Sequence, residues 1–300
     1  VESSAPGSHE YEGRYDAVVR LGGVPGRDGH ARVDPEFFAQ ERVDEVQVTH
    51  LVGFGAGDEL AGGLGQVRHA ELEGVLADPG SPPAPYYQRM RCDVVLVGAG
   101  GHASDVLGLV EDLRREGMDL HVPGLLADEK PEMKRFAGRG VQLLGDIATL
   151  AERPPTWHYV VAVGYPTTRR VVAERLGGLP HRAMSLVHPR ATVGTGFTMG
   201  DGGVLLSGVS ISPSVTLGRH VYVSHLVGIG HDTVIGDYCS LMPGALVSGD
   251  VQLGRGVLVG AGAVVLEGIK IGAGAVLAAG CVVTRDVLAG VTVRGIPARA

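Results

Sequence analysis

Every sixth residue from Val193 to Val283 is aliphatic or methionine, and the phase never breaks. The series runs through Met199, Leu205, Ile211 and Leu217 to Val259, Val265, Ile271 and Leu277. Two places before each stands another apolar or small residue, such as Val209, Val221, Cys239, Ala245 and Val257. Glycine dominates the place after it, as at Gly194, Gly218, Gly230, Gly254 and Gly272. Side chains two apart on a strand share a face, so both apolar positions of a unit turn inward together. Glycine and small residues between them let the chain turn corners. Three units make one triangular coil, and residues 191–286 make about five coils, stacked as a parallel β-helix around an aliphatic core. A β-sandwich of alternating strands would not keep a six-residue phase over this length.

Composition agrees with that core. Hydrophobic residues make up 44% of the chain but aromatic residues only 5%, which suits a solenoid packed with Val, Ile, Leu and Ala. A formal net charge of −7 argues against non-specific binding to nucleic acid or anionic membrane. The sequence holds no basic, apolar leader and no run of apolar residues long enough to span a bilayer. Cys92, Cys239 and Cys281 are too few for a disulfide framework. A cytoplasmic protein is expected.

Three parts are expected along the chain. Residues 1–90 read as an appended module of unknown role. Strands are suggested near 16–21 and 46–54, the glycine run Gly53–Gly57 reads as a flexible turn rather than a phosphate loop, and residues 78–85 form a proline-rich linker. Residues 91–187 alternate strand and helix patterns, with strands at 93–97, 125–127, 141–144, 159–163 and 184–187. Helices are expected from Ala103 and near 146–152 and 167–176. That is a small parallel α/β, Rossmann-like domain. Residues 188–300 are the β-helix. Glycines at 98, 100 and 101 depart from the G-x-G-x-x-G spacing of dinucleotide sites, which disfavours a nicotinamide enzyme. Backbone N–H groups opening a helix there still suit an anion.

One residue pair on the β-helix carries chemistry. His231 stands two residues beyond the inward Ile229, at a corner where no core residue is expected, and Asp232 follows it. A neutral imidazole at such a place takes a proton from an amine or hydroxyl as it attacks a thioester, and the acid can orient it. Two rival chemistries use neighbouring residues. His220 and His225 are spaced like zinc ligands of β-helical γ-class carbonic anhydrases, but the third histidine that site needs would fall at position 184, which is Met. Cys239 and Cys281 could carry an acyl group, but both sit in the inward phase of core fillers. A non-catalytic β-helical scaffold is the rival of another class.

The repeat, the order of Gly98-Ala-Gly-Gly-His102, Leu143-Leu-Gly-Asp146, Val161-Ala-Val-Gly164 and Leu186-Val-His-Pro-Arg-Ala191, and the His231-Asp232 turn together resemble the left-handed β-helix acyltransferases. Within them the likeness is to UDP-4-amino-sugar N-acetyltransferases and sialic acid O-acetyltransferases, over roughly residues 93–298. Handedness comes from this resemblance alone. The resemblance implies acetyl-CoA as co-substrate and a nucleotide sugar as acceptor, without nucleic acid, membrane or metal. It also implies a homotrimer with the cofactor in a groove between subunits. His231 and Asp232 match the family's catalytic base and its acid. Gly98, Gly100, Gly101 and His102 match its phosphate turn, and Asp128 its base-side acid. Ser240 stands where many members place a second histidine at the thioester. The small-residue runs Gly260–Ala263 and Gly272–Ala275 would admit a pantetheine arm, and Arg285 and Arg294 with the Gly295–Arg299 tail would face its phosphates. The expected cofactor contacts are therefore Ser240, Gly260, Ala261, Ala278, Arg285, Arg294 and Pro297. The implied reaction is acetyl transfer to a sugar amine, with O-acetylation of a sugar or secondary metabolite as the runner-up.

Overall fold

A computed structural model describes residues 91–129 and 131–300. The module expected over residues 1–90, with its two strands, glycine run and linker, lies outside the described residues.

The first described domain is built on a short hydrophobic strand. β1 (Cys92–Val97) reads Cys-Asp-Val-Val-Leu-Val, and Val94 to Val97 are fully buried. A strand apolar on both faces belongs in the middle of a parallel sheet. The sheet bears this out. β2 (Leu120–His121) pairs with the start of β1, while β3 (Leu125–Leu126), β4 (Leu143–Gly145), β5 (His158–Val161) and β6 (Arg182–Ala183) give the parallel order β4-β3-β1-β5-β6. α1 (Gly101–Arg115) buries Ala103, Val106, Leu107, Val110 and Leu113, one stripe at helical spacing. It packs with Val94 and Leu96 on one face of the sheet. α2 (Pro166–Leu176) packs Val172, Ala173 and Leu176 with Val95 and Val97 on the other. The helix expected near 146–152 is a 3₁₀ helix, Ile147–Glu152, capped by Asp146, which accepts from the Thr149 N–H at 3.1 Å.

Of the strand expected at 184–187 only Leu186–Val187 forms, and it belongs to the β-helix rather than to the α/β sheet. Arg182–Ala183 closes the α/β sheet, and Leu186–Val187 instead pairs with Val204–Leu205, the first strand neighbour within the β-helix. Met184 and Leu186 are buried in the α/β core at this crossing, so the chain passes from one sheet to the other without a linker.

From there the structure is a left-handed parallel β-helix. Register advances by 18 residues per coil, as in Val204↔Tyr222↔Ser240↔Leu258↔Val276. Both inward positions of the repeat are filled as the period requires: Val215, Val221, Val251, Val257, Val259 and Leu277 are all at 0% exposure. The first coil is looser, with Ala191, Val193, Phe197 and Met199 only partly buried. One of the three faces is covered. Val204, Leu206 and Tyr222 join the core beneath α1, and Tyr238 joins the core beneath α2.

The glycines do two jobs that sequence reading merges. The one after the aliphatic residue is required by close approach: at Gly230 an added Cβ would lie 2.3 Å from the amide nitrogen of Gly249, in the next coil. The positive-φ corner falls two residues later, at Gly208 (φ +72°) or Gly256 (φ +70°). In the middle coils that corner is occupied by Ser214, His220, Leu226, Asp232, Tyr238 and Asp250, with φ between 52° and 60°. Left-handed backbone costs a residue with a side chain about 1 kcal/mol or more, and such strain concentrates at functional sites.

Candidate functional site

His231 and Asp232 share one corner of the β-helix. Their side chains are 57% and 59% exposed, and Nδ1 of His231 lies 2.9 Å from Oδ2 of Asp232. A carboxylate only accepts, so Nδ1–H donates to it, leaving Nε2 of the neutral ring as an open acceptor toward solvent. The ring rests on Gly249, where a Cβ would be 2.6 Å from Cε1 and Nε2. Beside this corner runs a shallow groove of about 260 Å³ on the strand face, lined by Ser210, Ser212, Gly228, Gly230, Leu246 and Ser248 among others. The serines and glycines there leave the backbone reachable by a thin ligand beside the exposed Leu246.

The expected cofactor contacts divide. Arg285 lies on the same edge as His231, three coils farther, about 14 Å at the spacing of paired strands, and is exposed. Gly260, Ala261 and Ala278 lie on or beside the opposite edge of that face, with Ala261 exposed. Arg294 and Pro297 are exposed in the closing tail, where Arg294 and Arg299 exchange backbone hydrogen bonds of 2.8 and 2.9 Å. Ser240 departs from expectation. It is at 0% exposure, donates to the Gly164 carbonyl at 2.6 Å and accepts from Arg169 Nη2 at 2.8 Å. Its hydroxyl joins the two domains, and no cofactor can reach it. The physical reason is register: nine residues are half a coil, so Ser240 lies on the face covered by the α/β domain.

The other expected cluster assembles at the carboxyl end of β1. Gly98 has φ +120°, donates to the Leu126 carbonyl at 2.8 Å, and has Ala162 O where a Cβ would need to be, at 2.8 Å. Gly100 caps α1 without a side-chain hydrogen bond, Gly101 opens the helix, and no acid stands in its first turn. Its leading N–H groups are therefore free to meet an anion. The His102 ring packs against Gly164, where a Cβ would come within 2.1 Å of it, and meets Tyr222 edge-on at 4.8 Å. Burial, opposed by Asp105 and aided by Arg169, holds its pKa below the usual histidine value. Asp128 follows β3 as expected; its carboxylate accepts from Ile147 N–H at 3.2 Å and pairs with Arg175 at 2.5 Å, which holds it below the usual carboxylate range.

The rival residues separate. His220 is buried and His225 shares a hydrogen bond of 2.8 Å between its Nδ1 and Ser207 Oγ, the two histidines lying at opposite ends of the strand Tyr222–Val223. Among the described residues no group of three His, Cys, Asp or Glu side chains is placed to hold a metal. Cys239 and Cys281 are at 0% exposure, and burial pushes the Cys239 thiol up to about 12.

Sequence reading gave no role of its own to Arg169, Gly164 or Gly249 and missed the column Tyr159–His220–Tyr238. Those rings stack at 6.5 Å (17°) and 5.5 Å (7°), with Arg255 5.2 Å over Tyr238. The column lines a cleft of about 1120 Å³ between the domains, at the amino ends of β1 and β5 and thus opposite the Gly98–His102 turn. Its sequence signal was the replacement of glycine by His220 and Tyr238 at the positive-φ phase.

Known proteins share this arrangement. Residues 93–176 match the PglD N-terminal domain, and residues 250–285 match the bacterial transferase hexapeptide (six repeats). A serine acetyltransferase of Synechococcus elongatus is 33% identical over 169 residues, covering 52% of this chain and 66% of that protein. A GDP-perosamine N-acetyltransferase of Escherichia coli O157:H7 is 33% identical over 147 residues, covering 47% of this chain and 66% of that one. The chain thus spans 66% of the length of each of these relatives. Among solved structures, the acetyltransferase domain of PglB from Neisseria gonorrhoeae, in complex with acetyl coenzyme A, is 27% identical with a TM-score of 0.64, covering 70% of this chain and 99% of that one. PerB from Caulobacter crescentus, in complex with CoA and GDP-perosamine, is 28% identical with a TM-score of 0.61, covering 69% and 96%. Among the described residues no helix is long and apolar enough to cross a membrane. The chain thus carries a PglD N-terminal domain running directly into a bacterial transferase hexapeptide β-helix, and the likeness extends along nearly the whole of both solved structures.

Proposed function

We propose that the protein is an acetyl-coenzyme A-dependent N-acetyltransferase acting on the amine of a nucleotide-linked amino sugar. The observation that carries the reading is His231 at an exposed corner, its Nδ1 held by Asp232 and its Nε2 open beside a groove of small residues. The solved relatives bind acetyl coenzyme A, or CoA with GDP-perosamine, on the same two-domain frame.

The acceptor nucleotide lies at the carboxyl end of β1, its phosphates on Gly98, Gly100, Gly101 and the start of α1, with His102 beside them and Asp128 toward the base. The co-substrate lies along the β-helix, its pantetheine arm near Gly260, Ala261 and Ala278 and its phosphates near Arg285, Arg294 and the Pro297 turn. The amine attacks the thioester carbonyl and forms the C–N bond. His231 Nε2 takes the proton that the nitrogen loses, the C–S bond breaks, and the departing thiolate of coenzyme A regains a proton. Asp232 stabilises the imidazolium in between. No acyl-enzyme is formed. Because the two halves lie on different parts of the chain, a closed homotrimer completes the site between neighbours. We assign the enzyme to the cytoplasm.

The test is thioester consumption with GDP-, UDP- and dTDP-linked amino sugars, with L-serine and sugar hydroxyls as O-acceptors, because a serine acetyltransferase is among the relatives. Turnover with an amino sugar, lowered about 10²–10⁴-fold by His231→Ala but not by His225→Ala, is expected. Turnover only with hydroxyl acceptors would move the assignment to O-acetylation. Loss of activity in His225→Ala with retention in His231→Ala would overturn the base.

A further inference from the structure

Arg169 is a charged side chain with no charged partner among the described residues. It projects from the buried face of α2 and is 1% exposed. Nε donates to the His220 carbonyl at 2.8 Å, and Nη1 to the carbonyls of Val163 and Gly164 at 2.7 and 2.9 Å. Nη2 donates to the carbonyls of Tyr238 and Cys239 at 2.7 and 2.9 Å and to Ser240 Oγ at 2.8 Å. All six acceptors are neutral. Burial lowers the guanidinium pKa to about 10, which leaves it protonated at neutral pH.

A buried ion satisfied only by dipoles is a poor way to gain stability, since apolar packing in its place often does as well or better. Its location suggests another role. Gly164, whose carbonyl it holds, is the residue on which the His102 ring lies, and the neighbouring Ala162 carbonyl abuts Gly98. The guanidinium therefore stands directly behind the turn that opens α1, on the side away from solvent. Its charge adds to the positive end of that helix in a region that water screens poorly.

Resting on the reading of Gly98–His102 as the nucleotide turn, we propose that Arg169 supplies the fixed positive charge of that site. It raises affinity for the diphosphate without touching it, while its bonds to Tyr238, Cys239 and Ser240 fix the turn's angle to the β-helix. It is a positioning residue, and the charge is what distinguishes it from a structural pin.

The experiment measures calorimetric affinities of the full chain for guanosine, uridine, their diphosphates and coenzyme A. In Arg169→Met the preferred nucleoside diphosphate should weaken about tenfold or more, with the bare nucleoside and coenzyme A changed less than about threefold. Arg169→Lys, which keeps the charge but not the fork of donors, should recover most of the loss. Should Arg169→Met fail to fold, Ser240→Asp sets a carboxylate against the guanidinium and should produce the same selective loss. Equal weakening of nucleoside and diphosphate in these variants, or no weakening, would overturn the proposal. Absence of any nucleoside diphosphate binding by the wild type would overturn the nucleotide reading itself.

Discussion

The imidazole of His231 rests on Gly249, its neighbour one coil along the β-helix, because only a residue without a Cβ leaves room for the ring. Gly249→Ala would put a methyl group 2.6 Å from Nε2 and Cε1. The ring is exposed and free to swing away, so the melting temperature should barely move. The acetyl-transfer rate should fall about tenfold or more, since the base leaves its reacting position. Wild-type kcat in this variant would show that the contact does not set the base.

Asp232 has to satisfy two demands, a φ of +56° and a hydrogen bond to His231. Asn tolerates left-handed backbone and Ala does not. Asp232→Asn and Asp232→Ala should therefore lower kcat alike, about tenfold, while only Asp232→Ala loses about 1 kcal/mol of stability. Denaturant titrations of both variants check this; equal stabilities would contradict it.

Val259 is at 0% exposure in the β-helix core, whereas Thr195 is exposed on a corner. Val259→Asp buries a carboxylate without a partner and should cost several kcal/mol or abolish the cooperative transition. Thr195→Asp should stay within about 0.5 kcal/mol of wild type. Similar melting curves for the two would refute the inward phase.

His220 gives stability a pH dependence. Burial first, then Arg169 and Arg219, lower its pKa to about 4, against the opposing pull of Asp237 and Asp201, and the rings of Tyr159 and Tyr238 face it on both sides. Above about pH 6.5 the ring is neutral in both folded and unfolded chains. As pH falls toward 4 the unfolded chain takes up the proton first, so stability drops, by roughly 3 kcal/mol in all from this residue. His220→Asn, which tolerates positive φ and does not titrate, should be weaker at pH 7.5 but lose less between pH 6.5 and 4. Parallel stability curves would count against a neutral His220.

Residues 91–129 and 131–300 complete both an α/β sheet and a β-helix core. A chain lacking residues 1–88 is expected to fold and to keep acetyl-transfer activity. An inactive or insoluble truncation would mean that residues 1–88 belong to the site or to the assembly.

How much was legible depended on how far apart in sequence the interacting groups lie. The six-residue phase specifies the β-helix because each inward position follows from strand alternation within its own unit, repeated by stacking. The Gly98–His102 turn and the His231–Asp232 pair were legible for a similar reason: each is contiguous, and local backbone alone brings its members together. The strand expected at 184–187 was given to the wrong sheet, because Met184, Leu186 and Val187 suit either core and say nothing about which sheet they join.

What only the tertiary structure decided lies between distant segments. Arg169 finds four of its six acceptors 51 to 71 residues onward on another domain, and Ser240 meets Gly164 across 76 residues. Counting nine residues on from His231 suggested that Ser240 faces the cofactor. Folding turned those nine residues into half a coil and set Ser240 under the α/β domain. Period fixes which side chains point inward, because that is a matter of local geometry; which outward face is covered, and which buried charge stands behind the phosphate turn, follows from how two domains pack, and no period in the chain encodes it.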